Sequence, residues 1–66
     1  MLRGLIYEAF EDHFDEIKSF CDLNDIQIYR LDPKLYVVLA KPKRMYKLMK
    51  FVKKYDREVI SIELVD

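Results

Sequence analysis

Hydrophobic and polar positions alternate in two segments of the chain, at residues 25–31 and 58–65, and a third segment at 35–40 is rich in β-branched and aromatic residues. Both patterns are typical of β-strands, whose successive side chains point to opposite faces of a sheet. Asp32, Pro33 and Lys34 lie between the strands predicted at 25–31 and 35–40, and they suit a tight turn. These two strands are therefore predicted to form a hairpin.

Two further segments follow the 3.6-residue period of an α-helix. In residues 41–55, Pro42 lies near the first helical position, where a missing N–H is tolerated. The apolar stripe of this helix comprises Met45, Leu48, Met49 and Val52. A second amphipathic helix is predicted from Asp12, which can cap it, to about Leu23. Its inner face would consist of Phe14, Ile17 and Cys21, with Phe20 at the margin.

The first ten residues fit two structures. Their apolar positions can extend the helix that starts near Asp12 backwards towards Leu2, or they can form a strand over residues 2–9. The extended helix would be about 33 Å long. A globule of this size has a radius of gyration of about 11 Å, so such a helix would overshoot it. Gly4 would also weaken the helix, and we prefer the strand.

The order strand, helix, hairpin, helix, strand predicts one α+β domain over residues 1–66. This is the βαββαβ arrangement of the ferredoxin-like, split-βαβ sandwich, in which two helices pack on one face of a four-stranded antiparallel sheet. The other face of the sheet would be open.

The strand patterns assign residues to the two faces of this sheet. The positions expected to point at the helices are Ile26, Ile28, Leu35, Val37, Leu39, Ile60, Ile62 and Leu64. The open face would then include Tyr29, Tyr36, Val38, Val59 and Ser61. An exposed apolar patch on a small domain often marks an interface, so the four apolar members are candidate contacts for a homodimer or a partner protein. Scattered apolar residues on a solvated sheet are an equally good interpretation.

The formal net charge of zero conceals a separation of charge along the chain. Residues 41–57 hold eight basic side chains and one acid, whereas residues 8–25 hold seven acids and one base. A surface adapted only for solubility tends to intersperse both signs, so this separation indicates a charged binding surface.

The helix predicted at 41–55 carries most of the positive charge. Opposite its apolar stripe, four lysines form a row, Lys43, Lys47, Lys50 and Lys54, which Tyr46 and Phe51 flank. Basic groups interleaved with aromatic rings suit a phosphodiester backbone and its bases. Lys41, Lys43 and Arg44 crowd the amino end of the helix, where the helix dipole disfavours cations but unpaired N–H groups can bind phosphate.

RNA or DNA is therefore the predicted partner, in preference to a lipid surface. The candidate contacts are Lys41, Lys43, Arg44, Lys47, Lys50 and Lys54. Two other interpretations stay open. The first is that the lysine row is an ordinary solvated helix face, and the second is that neighbouring acidic and basic helices only stabilise one another.

Little in the sequence indicates an enzyme or a cofactor. Cys21 is the only cysteine and Gly4 the only glycine, which excludes CxxC motifs, dinucleotide-binding loops and P-loops. His13 is the only histidine, and we expect it to be a partly buried structural group. A calcium site in the stretch 22–25 is disfavoured, since it lacks the spacing and glycine of an EF-hand loop. We predict a non-enzymatic module without metal or cofactor.

The chain has no apolar run of the roughly 18 residues that span a membrane. No signal or transit peptide is readable at its start. The expected setting is cytoplasmic or nucleoplasmic.

Overall fold

The computed structural model describes residues 1–10 and 12–65, which form four strands and two helices. Their order is β1 (Leu2–Glu8), α1 (Phe14–Leu23), β2 (Gln27–Asp32), β3 (Leu35–Ala40), α2 (Pro42–Val52) and β4 (Ile60–Val65). The strands pair antiparallel in the order β2-β3-β1-β4, and both helices pack on one face of this sheet. This is the βαββαβ topology of the ferredoxin-like fold, and the fold class predicted from the sequence is confirmed.

The start of the chain is a strand, as predicted. β1 pairs with β3 on one side and with β4 on the other, so it lies inside the sheet. The longest extent of the molecule is 28 Å. A continuous helix of about 33 Å would not fit within it.

β3 spans Leu35–Ala40, as predicted, whereas the remaining elements differ from the predicted bounds at their ends. α2 stops at Val52, three residues before the predicted end. β4 starts at Ile60 rather than at residue 58, because the carbonyl of Asp56 accepts hydrogen bonds from the N–H groups of Val59 and Ile60, at 2.9 and 3.0 Å. At the end of α1, Asp25 has a φ of 57°, and Ile26 N donates to the Cys21 carbonyl at 2.9 Å. This left-handed C-terminal cap delays β2 to Gln27.

The core lies between the sheet and the helices. Its largest fully buried side chains are those of Tyr36, Ile6, Ile17, Met45 and Leu48. Gly4 lies where α2 crosses β1, and a β-carbon there would stand 3.0 Å from Val38 Cγ2 and 3.3 Å from Met45 Sδ. Glycine at this position therefore allows the close approach of α2 to the sheet.

The faces of β3 are the reverse of those predicted. A regular two-residue hairpin would place Ile28 opposite Leu39, but the register shifts between Arg30 and Asp32, so Ile28 lies opposite Val38. Because side chains alternate along a strand, a shift of one residue moves every side chain to the other face. Tyr36 and Val38 consequently face the helices and are fully buried. Their prediction as open-face residues was wrong.

Candidate nucleic-acid interface

The basic side chains of α2 and its flanks form the basic surface, which we define as Lys41, Lys43, Arg44, Lys47, Lys50 and Lys54. All six are exposed. Lys41 is the N-cap residue of α2, in extended conformation, and Pro42 follows at the first helical position. The buried residues Met45, Leu48 and Val52 hold the opposite side of the helix against the sheet. Burial of that stripe therefore fixes which side chains of α2 point to solvent.

The acidic helix does not neutralise this surface through ion pairs. Two carboxylates in and just before α1 form ion pairs with other bases: Asp22 with Lys18 at 3.1 Å, and Asp12, which precedes the N-cap His13, with Arg30 at 2.7 Å. Within residues 1–10 and 12–65, no ion pair joins an acid of α1 to a base of α2. The positive charge of α2 is thus available to an external anion.

Two members of the basic surface contact the end of α1. Arg44 Nη1 donates to the carbonyl oxygen of Asn24 at 2.9 Å, and Lys47 Nζ lies 3.4 Å from the Asn24 side-chain oxygen. Asn24 is the C-cap of α1, where the helix dipole is negative and cations are favoured. Arg44 therefore has a structural partner, which partly explains the cations at the amino end of α2. Lys43 and Lys50 have no such contact among the described residues.

The two aromatic residues predicted to flank the lysine row lie in different environments. Tyr46 is 57% exposed on α2, one turn from Lys43 and from Lys50. Phe51 is half-buried and stacks on Phe20 of α1, with ring centroids 4.3 Å apart. Only Tyr46 is therefore open to a nucleic-acid base, and the prediction that both rings flank an exposed row holds for Tyr46 alone.

Lys54 lies beyond the end of α2, so it does not continue the helical row. Its ammonium group lies 4.2 Å from the centre of the Phe51 ring and 5.0 Å from that of Tyr55. These cation–π contacts hold Lys54 beside the aromatic cluster between the helices while leaving it exposed.

The open sheet face has an apolar middle bordered by Arg3, Gln27 and Glu63, and its members differ from those predicted. Leu5 of β1 lies opposite Val37, which lies opposite Tyr29 at the next strand. Tyr29 is 52% exposed and Tyr7 is 42% exposed. The other half-buried apolar residues of β3 on this face are Leu35 and Leu39. Among the predicted contacts, Tyr29 is on this face, and Val59 is half-buried in the turn before β4.

A buried carboxylate, which the sequence interpretation did not anticipate, lies at the end of β1. The Glu8 side chain is 0% exposed. Its carboxylate accepts hydrogen bonds from the backbone N–H of His13, at 2.8 and 3.0 Å, from the His13 ring at 2.5 Å and from the hydroxyl of Tyr36. The alternation of β1 held a signal for this, because Gly4, Ile6 and Glu8 share the helix-facing side. These donors satisfy both carboxylate oxygens. The cluster therefore connects β1, the start of α1 and β3 through hydrogen bonds, and we call it the Glu8 joint.

A second layer of polar contacts encloses this joint. Asp12 accepts hydrogen bonds from Phe14 N at 2.9 Å and from Arg30 Nη2 at 2.7 Å, and these contacts, in that order, lower the pKa of Asp12. Arg30 also donates to the Pro33 carbonyl at 2.9 Å. Burial, followed by the hydrogen bond to Glu8, raises the pKa of Tyr36. The Tyr36 hydroxyl, which is protonated at neutral pH even at the ordinary tyrosine pKa, therefore remains a donor into the alkaline range.

His13 and Cys21 both have structural environments. The His13 ring is largely buried and lies 4.5 Å from the Tyr55 ring. Burial, followed by the charge of Asp22, raises the pKa of Cys21 to about 12, so its thiol is a core group.

Across the described part of the chain, neither helix has the length and hydropathy needed to cross a bilayer. The same residues contain no cluster of three or more histidine, cysteine or acidic side chains arranged to hold a metal ion. Comparison with models of protein families, with curated proteins and with solved structures gives no match for this chain.

Proposed function

We propose that the protein is a small non-enzymatic binding module that binds RNA or DNA through the basic surface of α2. The observation that supports this most directly is the combination of Lys43, Tyr46 and Lys50 on one exposed side of a helix, with no acid of α1 paired to them. A phosphodiester chain offers both of the features this side can bind, since its phosphates attract ammonium groups and its bases stack on aromatic rings.

We propose different roles for the members of the surface. Lys43, Lys47 and Lys50 lie within an arc of about 60° on a helix with 100° per residue. They would follow the phosphates of a bound strand, while Tyr46, about 40° outside that arc, would stack on a base. Arg44 would contribute mainly by holding α2 against the end of α1, since its guanidinium group is bonded to Asn24.

The test is a double charge reversal, Lys43→Glu with Lys50→Glu. Neither side chain has a partner among the described residues, so each change should alter the free energy of unfolding by less than about 0.5 kcal/mol. Binding to single-stranded RNA and to duplex DNA, measured by fluorescence anisotropy, should be lost. Unchanged affinity for both in a folded double variant would refute the proposal.

A matched control distinguishes loss of binding caused by changing the α2 surface from loss caused by the change in net charge alone. Arg3→Glu with Lys34→Glu makes the same change in net charge on exposed positions of β1 and of the hairpin turn, away from α2. This control should retain most of the wild-type affinity. A loss equal to that of the α2 double variant would show that only net charge matters.

A second function is favoured by the open sheet face. The row Tyr29, Val37 and Leu5 runs across three strands without a helix over it. We propose as the alternative that a second copy of the chain covers this face, since a two-fold axis places one apolar patch against itself. Val37→Lys should then convert a dimer to a monomer in sedimentation experiments. A wild-type protein that sediments as a monomer at about millimolar concentration would exclude this dimer.

A further inference from the structure

The free edge of β4 has backbone groups available for another strand. β4 is at the edge of the sheet, and Ala9 N donates to the Val59 carbonyl at 2.7 Å. In an antiparallel ladder, bonded positions alternate, so residues 59, 61, 63 and 65 direct their backbone groups at β1. Ile62 and Leu64 must therefore direct their N–H and C=O groups away from β1. The bond from Ile60 N to Asp56 O, outside the ladder, agrees with this alternation.

The two edges of the sheet differ in their protection. The β2 edge has an irregular register between Arg30 and Asp32, a feature that hinders pairing with another strand. β4 pairs with β1 through six consecutive positions without a shift. It contains no proline or lysine, and Glu63 is its only charged residue. The β4 edge is thus the one suited to accept another strand.

A groove follows the same edge on the helix side. It has a volume of about 550 Å³ and lies between the carboxyl end of α2 and β4. Its apolar lining consists of Met49, Val52, Ile60 and Ile62. Two basic residues, Lys53 and Arg57, also line it. A strand added to β4 would place every second side chain on the helix side, over this groove.

The charges at the groove indicate the kind of occupant. Within residues 1–10 and 12–65, neither Lys53 nor Arg57 forms an ion pair with an acid. A second copy joined through β4 would bring a second basic α2 along the same groove, because α2 packs against β4. Like charges would then face each other, which disfavours that arrangement. An occupant with carboxylates beside Lys53 and Arg57 is complementary.

We infer that the β4 edge is a binding site for an extended acidic peptide segment of a partner protein, which pairs with Ile62 and Leu64 and places apolar side chains in the groove. This site is distinct from the basic surface of α2 proposed for nucleic acid. The two inferences can therefore fail separately.

The probes are two synthetic peptides in which valine alternates with threonine, one flanked at both ends by aspartates and the other by lysines. The aspartate-flanked peptide should bind at least about tenfold more tightly, given two favourable charge pairs in place of two unfavourable ones. Its binding should slow amide hydrogen exchange at Ile62 and Leu64. The amides of Ser61 and Glu63, which already face β1, should change little.

Variants of the edge and of the groove test the geometry. Leu64→Pro removes an outward N–H that has no partner in the sheet, so it should abolish peptide binding, whereas Leu64→Ala keeps the N–H and should retain most of it. Lys53→Glu with Arg57→Glu should reverse the preference towards the lysine-flanked peptide. Lys43→Glu alone, ten residues and almost three helical turns from Lys53, should leave peptide binding within about twofold of wild type.

Four outcomes would overturn the inference. They are an absence of binding by the aspartate-flanked peptide at millimolar concentration, retention of its binding by a folded Leu64→Pro protein, protection at β2 rather than at Ile62 and Leu64, and protection of those two amides by self-association without peptide. Should Leu64→Pro fail to fold, the Lys53→Glu and Arg57→Glu reversal decides, since both side chains are exposed.

Discussion

The hydroxyl of Tyr36 on β3 donates a hydrogen bond to the buried carboxylate of Glu8 on β1. This contact joins two neighbouring strands beneath the start of α1, where Glu8 also accepts from the backbone and ring of His13. The joint depends on Tyr36 lying on the helix side of the sheet, as the bulge before the hairpin turn dictates.

Replacing Tyr36 by phenylalanine should lower the free energy of unfolding by about 1–3 kcal/mol, because it removes a donor from a buried charged group. Urea denaturation measures the change. Tyr29→Phe is the matched control, since its hydroxyl bonds to Gln27 in an exposed position, and it should change stability by less than about 0.5 kcal/mol. Equal effects of the two substitutions would show that the Glu8 joint does not stabilise the fold.

Neighbouring valines on β3 should respond in opposite ways to a lysine. Val38 is fully buried against α2, so Val38→Lys should unfold the domain by placing an unpaired charge in the core. Val37 lies on the open face, so Val37→Lys should leave a folded protein. Circular dichroism of the two variants reports the difference, and a folded Val38→Lys beside an unfolded Val37→Lys would reverse the faces assigned to β3.

Alanine substitutions of Arg44 and Lys43 should distinguish a structural role of Arg44 from a binding role of Lys43. Arg44→Ala loses the bond to the Asn24 carbonyl and should lower the free energy of unfolding by about 0.5–1.5 kcal/mol. Lys43→Ala should leave stability within about 0.5 kcal/mol of wild type while weakening nucleic-acid binding. Thermal denaturation together with anisotropy titrations of both variants would show whether the roles divide in this way.

Because of Cys21, the free energy of unfolding should fall as the pH rises into the alkaline range. Burial raises its pKa to about 12 from an ordinary 9.0, so the folded state favours the protonated thiol. The stabilisation is complete below pH 9 and is lost as the pH rises towards 12. Comparison of denaturation curves for wild type and Cys21→Ala isolates this effect from the titration of tyrosines. An identical pH dependence for the two proteins above pH 9 would contradict the burial of the thiol.

The sequence predicted the number, type and order of the elements because hydrophobic period and turn residues are local properties. It assigned β3 to the wrong faces because the bulge at Leu31 has no local signal: without it, Ile28 pairs with Leu39, and with it, Ile28 pairs with Val38. A single inserted residue thus decides which side chains form the core.

For the candidate site, too, the sequence predicted the features that are set within one helix and not those that depend on packing between helices. The exposure of Lys43 and Lys50 follows from the apolar stripe of α2, which the helical period reveals. The bond from Arg44 to Asn24 and the stacking of Phe51 on Phe20 depend on how α1 packs against α2, which the spacing within one helix does not specify.

The measurement that tests the central claim most directly is the salt dependence of nucleic-acid binding. If Lys43, Lys47 and Lys50 contact phosphates, the affinity for single-stranded RNA should fall with a log–log slope of about −2 as salt rises from about 50 to about 200 mM. The Lys43→Glu and Lys50→Glu protein should bind too weakly for a slope to be measured. No detectable binding by wild type at low salt, or an affinity independent of salt, would contradict the account.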